Sequence, residues 1–390
     1  MNILVATPIY PPESGGPARY TKELSRRIAE GNDVTILAYT DSAEVFPNTK
    51  LLAVSKMLPL PVRLFKYTLL ATKCAKTNDV MYVQNAMAAG LPVAIASMIS
   101  GTPFILKFVG DEAWERATQR RLTTKRLEEF LSTPIGSKGA DGDWKISLMR
   151  KIQGFVLRRA RFVTTPSAYL RDELIKAYGI APERAIVNYN ASEDAHASDA
   201  KPERIHHQMT TTARLVSWKG IDGMIDALAI LKQQFADAKL VIAGDGPEME
   251  NLKLHARNKG VGEDVTFLGN IPQADVLKLN KKSAVYIQNS TYEGLPHTVL
   301  EAFASEVPVI GTDIPGTNEA VYHEKTGLLV PAGDSKALAA AIKRIFEETD
   351  LCVTITEGGK KLLAEKFSWK SHISNLTETF QKMASELRKR

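Results

Sequence analysis

The feature that most constrains this chain is a repeated alternation. Short apolar runs of strand length are each followed by a stretch whose apolar residues recur at helical spacing. In the first half the runs fall at residues 3–6, 33–37, 80–83, 104–108 and 162–165. In the second they fall at 210–216, 239–243, 265–268, 285–288 and 308–311. A strand buried on both faces reads as a continuous apolar run, and strands separated by helices pair in parallel. The pattern therefore predicts an α/β chain with two parallel-sheet units. Between the two sets, residues 190–207 are polar and rich in Ala, Ser, Asp and His, which suits a connection. A length of 390 residues accommodates such a plan without staples.

Residues 80–106 carry no charge, a length that would cross a bilayer as a helix. Gln84, Asn85, Gly90, Pro92, Gly101 and Pro103 interrupt the run. Strand, helix over 91–99 and strand explain it better, as core of a folded unit. The opening Met1-Asn-Ile-Leu-Val-Ala-Thr has no basic flank and stops at Pro8, so it reads as a first buried strand rather than a leader. Cys74 and Cys352 fit no metal or redox spacing, which suits a reducing compartment, and adjacent His206 and His207 make no zinc pattern. The net charge of +6 hides an asymmetry: residues 1–187 hold 26 Lys and Arg against 17 Asp and Glu, and residues 188–390 hold 24 against 27. A basic first half points to an anionic surface or substrate there.

Residues 293–301 read Glu-Gly-Leu-Pro-His-Thr-Val-Leu-Glu, two carboxylates eight residues apart around a turn and a helix start. Gly294 and Pro296 suit a tight turn and a first helical position. A helix N-terminus attracts phosphate, and ionised Glu293 and Glu301 are strong acceptors for hydroxyls. Were the stretch wholly helical, their Cα atoms would stand ~12 Å apart. The alternative at this level is an ordinary exposed helix residue at Glu301. Arg214 and Lys219-Gly220 lie in a loop expected at a strand's carboxyl end, where open α/β sheets bind ligands. Arginine can grip phosphate bidentately and lysine as a point charge, or both can belong to a solvated basic loop. Gly244-Asp-Gly246-Pro247 would let a ligand approach the backbone or form a tight turn into a helix over 247–258; Met249 rules out a dinucleotide fingerprint. Gly15-Gly16 after the first strand forms a phosphate cradle at a helix start, or a flexible connection, without being a P-loop. In Lys107-Phe-Val-Gly110-Asp111-Glu-Ala-Trp114, Asp111 is placed for a polar or catalytic contact or for capping the next helix, and Trp114 for stacking on a sugar. Residues 56–76 and 144–161 are basic and apolar together, the pattern of helices that pack on a core or lie on anionic membranes.

This ordered set, with Pro315-Gly316-Thr-Asn-Glu319 and Thr326-Gly327-Leu-Leu-Val330 after it, resembles the retaining glycosyltransferases of family 4 over nearly the whole chain. The run from Glu293 to Glu301 matches their Glu-x7-Glu motif. The resemblance implies the GT-B fold, two Rossmann-like doubly wound domains facing a central cleft. The expected layout is an acceptor-binding domain over 1–187, a linker over 188–207, a nucleotide-sugar domain over 208–365, and a final helix over 366–390 crossing back to the first. It implies that Arg214 and Lys219 bind the donor diphosphate, Glu301 the ribose, and Glu293 the transferred sugar beside backbone from Gly294 and Leu295. Gly16 and Gly244 would approach the donor, and Asp111 would join Glu293, Lys219 and Arg214 in catalysis, although Gly110 replaces the histidine that usually precedes it. The implied reaction moves a sugar from a nucleotide sugar to a glycan or lipid-linked acceptor in polysaccharide or glycolipid synthesis. No metal or other cofactor and no nucleic acid is expected, and the location is cytoplasmic with peripheral contact to an anionic membrane. The competing readings are a non-catalytic two-domain sugar-binding protein and a sugar-nucleotide-modifying enzyme.

Overall fold

The computed structural model describes residues 1–13, 16–42, 44–137, 142–192 and 203–388. The chain divides into two units, one made of Met1–Asn188 with Ile373–Arg390, the other of Tyr189–His372. In the first, seven strands run in parallel: β1 (Asn2–Thr7), β2 (Asp33–Tyr39), β3 (Thr49–Val54), β4 (Val80–Gln84), β5 (Ile105–Lys107), β6 (Phe162–Thr165) and β7 (Ala185–Val187). Their order is β3-β2-β1-β4-β5-β6-β7. The second unit holds β8 (Ile205–Thr212), β9 (Lys239–Ala243), β10 (Val265–Gly269), β11 (Ser283–Gln288), β12 (Val309–Thr312) and β13 (Leu328–Val330), again all parallel, in the order β10-β9-β8-β11-β12-β13.

Both sheets are doubly wound. Strand order reverses beside the first strand of each, between β1 and β4 and between β8 and β11. Because parallel crossovers are right-handed, the helix Gly16–Ile28, which leads towards β2, covers one face of its sheet. The helices Leu60–Ala75, Gly90–Ser100 and Trp144–Arg159, which lead the other way, cover the opposite face. Central strands are apolar throughout because helices cover both faces: Ile3, Leu4, Val5, Val80, Met81 and Val83 are all fully buried. In the second unit, Ile225, Leu228, Leu240, Ile242, Ile287 and Ile342 anchor one cluster, and Val299, Leu300, Phe303 and Phe367 another.

The structure differs from the sequence expectation mainly at sheet edges. β3, β7 and β13 escape the pattern, and each is the last strand of its sheet, short or half exposed. The first strand of the second unit was expected at 210–216 but spans Ile205–Thr212, so Ile205, His206 and His207 are strand rather than connection. Residues 213–216 lie beyond the strand but stay against the end of β9 and the loop after it: Ala213 N donates to Ala243 O at 3.0 Å and Leu215 N to Asp245 O at 2.9 Å. The uncharged run 80–106 is strand β4, helix Gly90–Ser100 and strand β5. Among the described residues, no helix is long and apolar enough to cross a membrane. The final helix is Trp369–Arg388, whose Leu376, Phe380 and Met383 are buried; Phe380 meets the Tyr82 ring edge-on at 5.6 Å within the first unit.

Candidate functional site

The site of the second unit is built at the carboxyl end of β8 and β11, the switch point where open α/β sheets take ligands. β11 ends in Gln288, a polar residue closing an apolar strand, and the chain continues through Asn289 to Glu293 before the helix His297–Ala304. Glu293 is only 9% exposed and Glu301 5%. A carboxylate removed from water needs partners, and Glu293 has them. Lys219 Nζ donates to its Oε1 at 2.5 Å, Ser290 Oγ donates to the same oxygen at 2.7 Å, and so does Gln288 Nε2. Oε2 accepts from none of these three. Gln288 is itself fixed, since Thr298 Oγ1 donates to its Oε1 at 3.0 Å and its amide also donates to Ser290 Oγ at 2.6 Å.

Lys219 reaches Glu293 because two loops are stitched together. Thr291 N donates to Trp218 O at 2.8 Å, and Asn289 Nδ2 donates to Gly220 O at 2.7 Å. Gly220 has φ +60°, and a Cβ there would stand 2.1 Å from Asn289 O, so only glycine lets the loops close this far. Arg214 is exposed on the same loop, two residues beyond the end of β8. Gly244, with φ +133°, and Gly246 are required by the protein's own backbone: a Cβ would lie 1.9 Å from Ala213 O at the first and 2.3 Å from Leu215 O at the second. The turn into the helix Met249–Asn258 thus supports the Arg214 loop.

The helix His297–Ala304 begins one residue later than expected for Pro296, which is its N-cap rather than its first residue. Leu295 is buried in the core cluster with Val299 and Phe303, and Gly294 is buried beside it. Gly316 closes on this turn; a Cβ there would meet Glu293 O at 2.0 Å. Glu301 lies one helical turn past His297, whose Nδ1 is 3.2 Å from Glu301 Oε1 and whose Nε2 is 3.0 Å from Ala191 O. Both ring nitrogens thus face oxygen atoms. Tyr286 of β11 lies near both glutamates: burial first, then the Glu301 and Glu293 charges, push its hydroxyl well above the usual range, so it stays protonated. The sequence reading missed the roles of Gln288, Ser290 and His297. Their signals were a polar residue ending an apolar strand and a histidine inside the two-carboxylate run.

In the first unit, Gly16 is the exposed first residue of the helix Gly16–Ile28, with open space where a Cβ would stand; Gly15 lies outside the described residues. Of the two roles expected of Asp111, a catalytic contact and a helix cap, the structure shows the cap. Asp111 is fully buried and caps the helix Glu112–Gln119, accepting from Trp114 N at 2.8 Å, from Gln153 Nε2 at 2.5 Å and from the Tyr178 hydroxyl. Burial raises its carboxyl above the usual range, against the pull of those donors. Trp114 is buried too, its indole donating to Lys125 O at 2.9 Å, so it is no sugar platform. Strand ends again carry polar side chains. Gln84 and Lys107 are register partners on β4 and β5, and Lys107 and Thr164 on β5 and β6. Lys107 is buried with its ammonium 3.4 Å from the centre of the Tyr20 ring, and burial lowers its pKa to about 7.

Comparison with known proteins places both units. Residues 15–191 match a family model described as a glycosyl transferase 4-like domain, and residues 200–362 one described as glycosyl transferases group 1. The chain is 28% identical over 232 residues to a GDP-mannose-dependent alpha-(1-6)-phosphatidylinositol monomannoside mannosyltransferase of Mycobacterium tuberculosis, covering 55% of this chain and 60% of that protein. It is 24% identical over 392 residues to a glycogen synthase of the same organism, covering 95% and 92%. Among solved structures, Anabaena HepE in complex with UDP-glucose superposes with a TM-score of 0.76 at 21% identity, over 98% of this chain and all of that one. Sucrose-phosphate synthase from Thermosynechococcus elongatus gives 0.77 at 17% identity, over 99% and 100%.

Proposed function

We propose, on the premise that this chain belongs to the family 4 glycosyltransferases and has their GT-B fold of two Rossmann-like domains, a particular division of labour in moving the sugar. The donor is a nucleotide sugar and the acceptor a glycan or lipid-linked molecule, presented at an anionic membrane surface. HepE is described with UDP-glucose and the mycobacterial relative acts on a phosphatidylinositol mannoside, which supports these classes. The observation that carries the proposal is the buried pair Glu293 and Glu301 about one helix start, with Lys219 brought onto Glu293.

In this reading Glu301 accepts from the ribose hydroxyls and Glu293, through Oε1 and Oε2, from hydroxyls of the sugar being moved. Gly294 and Leu295 present backbone beside it. Lys219 and Arg214 turn to the diphosphate. As the bond from the sugar's anomeric carbon to the phosphate oxygen breaks, negative charge collects on the leaving diphosphate and positive charge on the sugar ring. The two cations and the helix start stabilise the first, and the Glu293 carboxylate the second. The acceptor oxygen bonds to the same carbon from the face the diphosphate leaves, its proton passing to a phosphate oxygen, so configuration is retained. Because Lys219 and Arg214 supply the positive charge, no metal ion is assigned to the step.

The test is transfer from isotope-labelled UDP- and GDP-sugars, chosen by a thermal-shift screen, in buffer containing chelator. Glu293→Gln and Lys219→Met should each abolish turnover while nucleotide still raises the melting temperature. Full turnover by either variant would overturn the roles, and loss of wild-type turnover in chelator alone would overturn metal independence.

A further inference from the structure

An ordinary surface helix shows the core an apolar stripe and water a polar one. Three helices of the first unit break that rule together. The helix Leu60–Ala75 buries Tyr67, Ala71 and Cys74, yet its opposite side presents Phe65 and Leu69, 69% and 45% exposed, beside exposed Lys66 and Lys73. The helix Gly90–Ser100 buries Val93, Ala96 and Ser97, while Met98 and Ile99 stand 60% and 66% exposed. The helix Trp144–Arg159 buries Ile146, Arg150 and Gln153 and turns Trp144, Leu148, Lys151 and Phe155 outward at helical spacing.

These helices are neighbours, the first packed on the second and the second on the third, on the same face of their sheet. The two basic apolar stretches, remote in sequence, are thus joined through a third helix that carries no charge. None of the three contains a single Asp or Glu. Exposed apolar side chains interleaved with lysines and free of carboxylates suit one environment: apolar just below a plane of negative charge. We infer that this three-helix face docks the protein on an anionic lipid bilayer, with Phe65, Leu69, Met98 and Trp144 in the acyl boundary and the lysines at the headgroups. A second copy of the chain does not fit, because a two-fold contact through this face would set lysines against lysines with no carboxylate on these helices to answer them. This face is the partner surface for the membrane contact proposed above, and it rests on the transferase reading only for what docking serves.

The experiment is co-sedimentation of the full chain with vesicles of phosphatidylglycerol or of phosphatidylcholine, at low and high salt. The protein should pellet with phosphatidylglycerol, be released by salt and stay in solution with phosphatidylcholine. The double variant Phe65→Ser, Leu69→Ser should lower partitioning about tenfold or more, from the apolar area it withholds. Lys66→Gln and Lys73→Gln should each lower it roughly fivefold and flatten the salt dependence. All these side chains are exposed, so the variants should keep the wild-type response to nucleotide in a thermal-shift assay. No binding to phosphatidylglycerol, or variants that bind like the wild type, would overturn the inference. So would a concentration-dependent dimer dispersed by the Phe65→Ser, Leu69→Ser pair. Vesicle binding needs neither donor nor turnover, so its failure with transfer intact would leave the transferase reading standing.

Discussion

Replacing Lys219 by methionine removes a cation from a carboxylate that cannot readily return to water. The side chains of Lys219 and Glu293 are 20% and 10% exposed. Breaking a wholly buried pair by deleting one partner costs about 3–5 kcal/mol, because the other charge is stranded. Here Gln288 and Ser290 still donate to Glu293. The loss should therefore sit lower, at about 2–3 kcal/mol. In a unit spanning residues 189–372, of a size where each kcal/mol moves the midpoint by about 2–4 °C, the melting temperature should fall by roughly 4–12 °C. Calorimetry on ligand-free protein reads this directly, and the double variant Lys219→Met, Glu293→Gln supplies the control. There a neutral amide replaces the carboxylate and no ion is stranded, so the double variant should recover about 1–2 kcal/mol of what the single one loses. If Lys219→Met melts with the wild type, or the double variant is no better than the single, the pair does not carry the energy assigned to it.

Other consequences are more local. If His297 holds the Glu301 carboxylate in place for the ribose, titration calorimetry should show His297→Ala narrowing the preference for a nucleoside diphosphate over its 2′,3′-dideoxy form by roughly three- to tenfold, and Glu301→Gln by more. An unchanged preference in the first alone would remove His297 from the site; in both, it would remove the ribose assignment. Lys107, with its pKa lowered to about 7, binds fewer protons folded than unfolded between that value and the ordinary lysine range. Its burial therefore penalises the folded state most below pH 7, and the penalty fades as pH rises towards 10.5 by up to about 1.4 kcal/mol per unit. Urea unfolding should find Lys107→Met more stable than wild type near pH 6, by a margin that shrinks towards pH 9; a constant margin would contradict the burial. Asp111→Asn, losing a carboxylate that accepts from Trp114, Gln153 and Tyr178, should destabilise the first unit by about 2–4 kcal/mol while nucleotide binding persists. Lost turnover at full stability would instead support a catalytic Asp111.

The doubly wound plan was legible because central strands must be apolar on both faces. Ten apolar runs mark ten of the thirteen strands, nine of them central and the tenth, β10, at an edge. β3, β7 and β13 are not among them, because an edge strand has one neighbour and need not be apolar throughout; β3 keeps Lys50 at the sheet margin. The early part of β8 was hidden similarly, its His206 and His207 lying where the strand is least buried. In the candidate site, Glu293, Glu301 and Lys219 were singled out by residue type and spacing. What spacing could not show is which partner each residue takes. Nothing local in sequence says that Asp111 meets Gln153, 42 residues away, or that Lys219 meets Glu293, 74 away. The same limit explains Gly244 and Gly246, whose glycines answer to Ala213 and Leu215 rather than to a ligand alone.

The pairing of Lys219 with Glu293 also bears on how such a site waits for its substrate. Two opposite charges side by side in a nearly dry loop neutralise each other, so the ligand-free protein keeps them without the penalty of an isolated buried ion. On the roles proposed above, a nucleotide sugar would bring both complements at once, phosphate for the lysine and hydroxyls for the carboxylate. A free phosphate brings only one, and taking Lys219 would leave Glu293 charged with only the neutral donors Gln288 and Ser290. If the proposed roles hold, that cost falls on the partial ligand and is cancelled by the complete one, and the ion pair should favour the intact donor over its anionic fragment. Pyrophosphate should then bind better to Glu293→Gln than to the wild type, whereas the intact donor should bind it worse. Parallel changes in both affinities would mean that the pair plays no part in the choice.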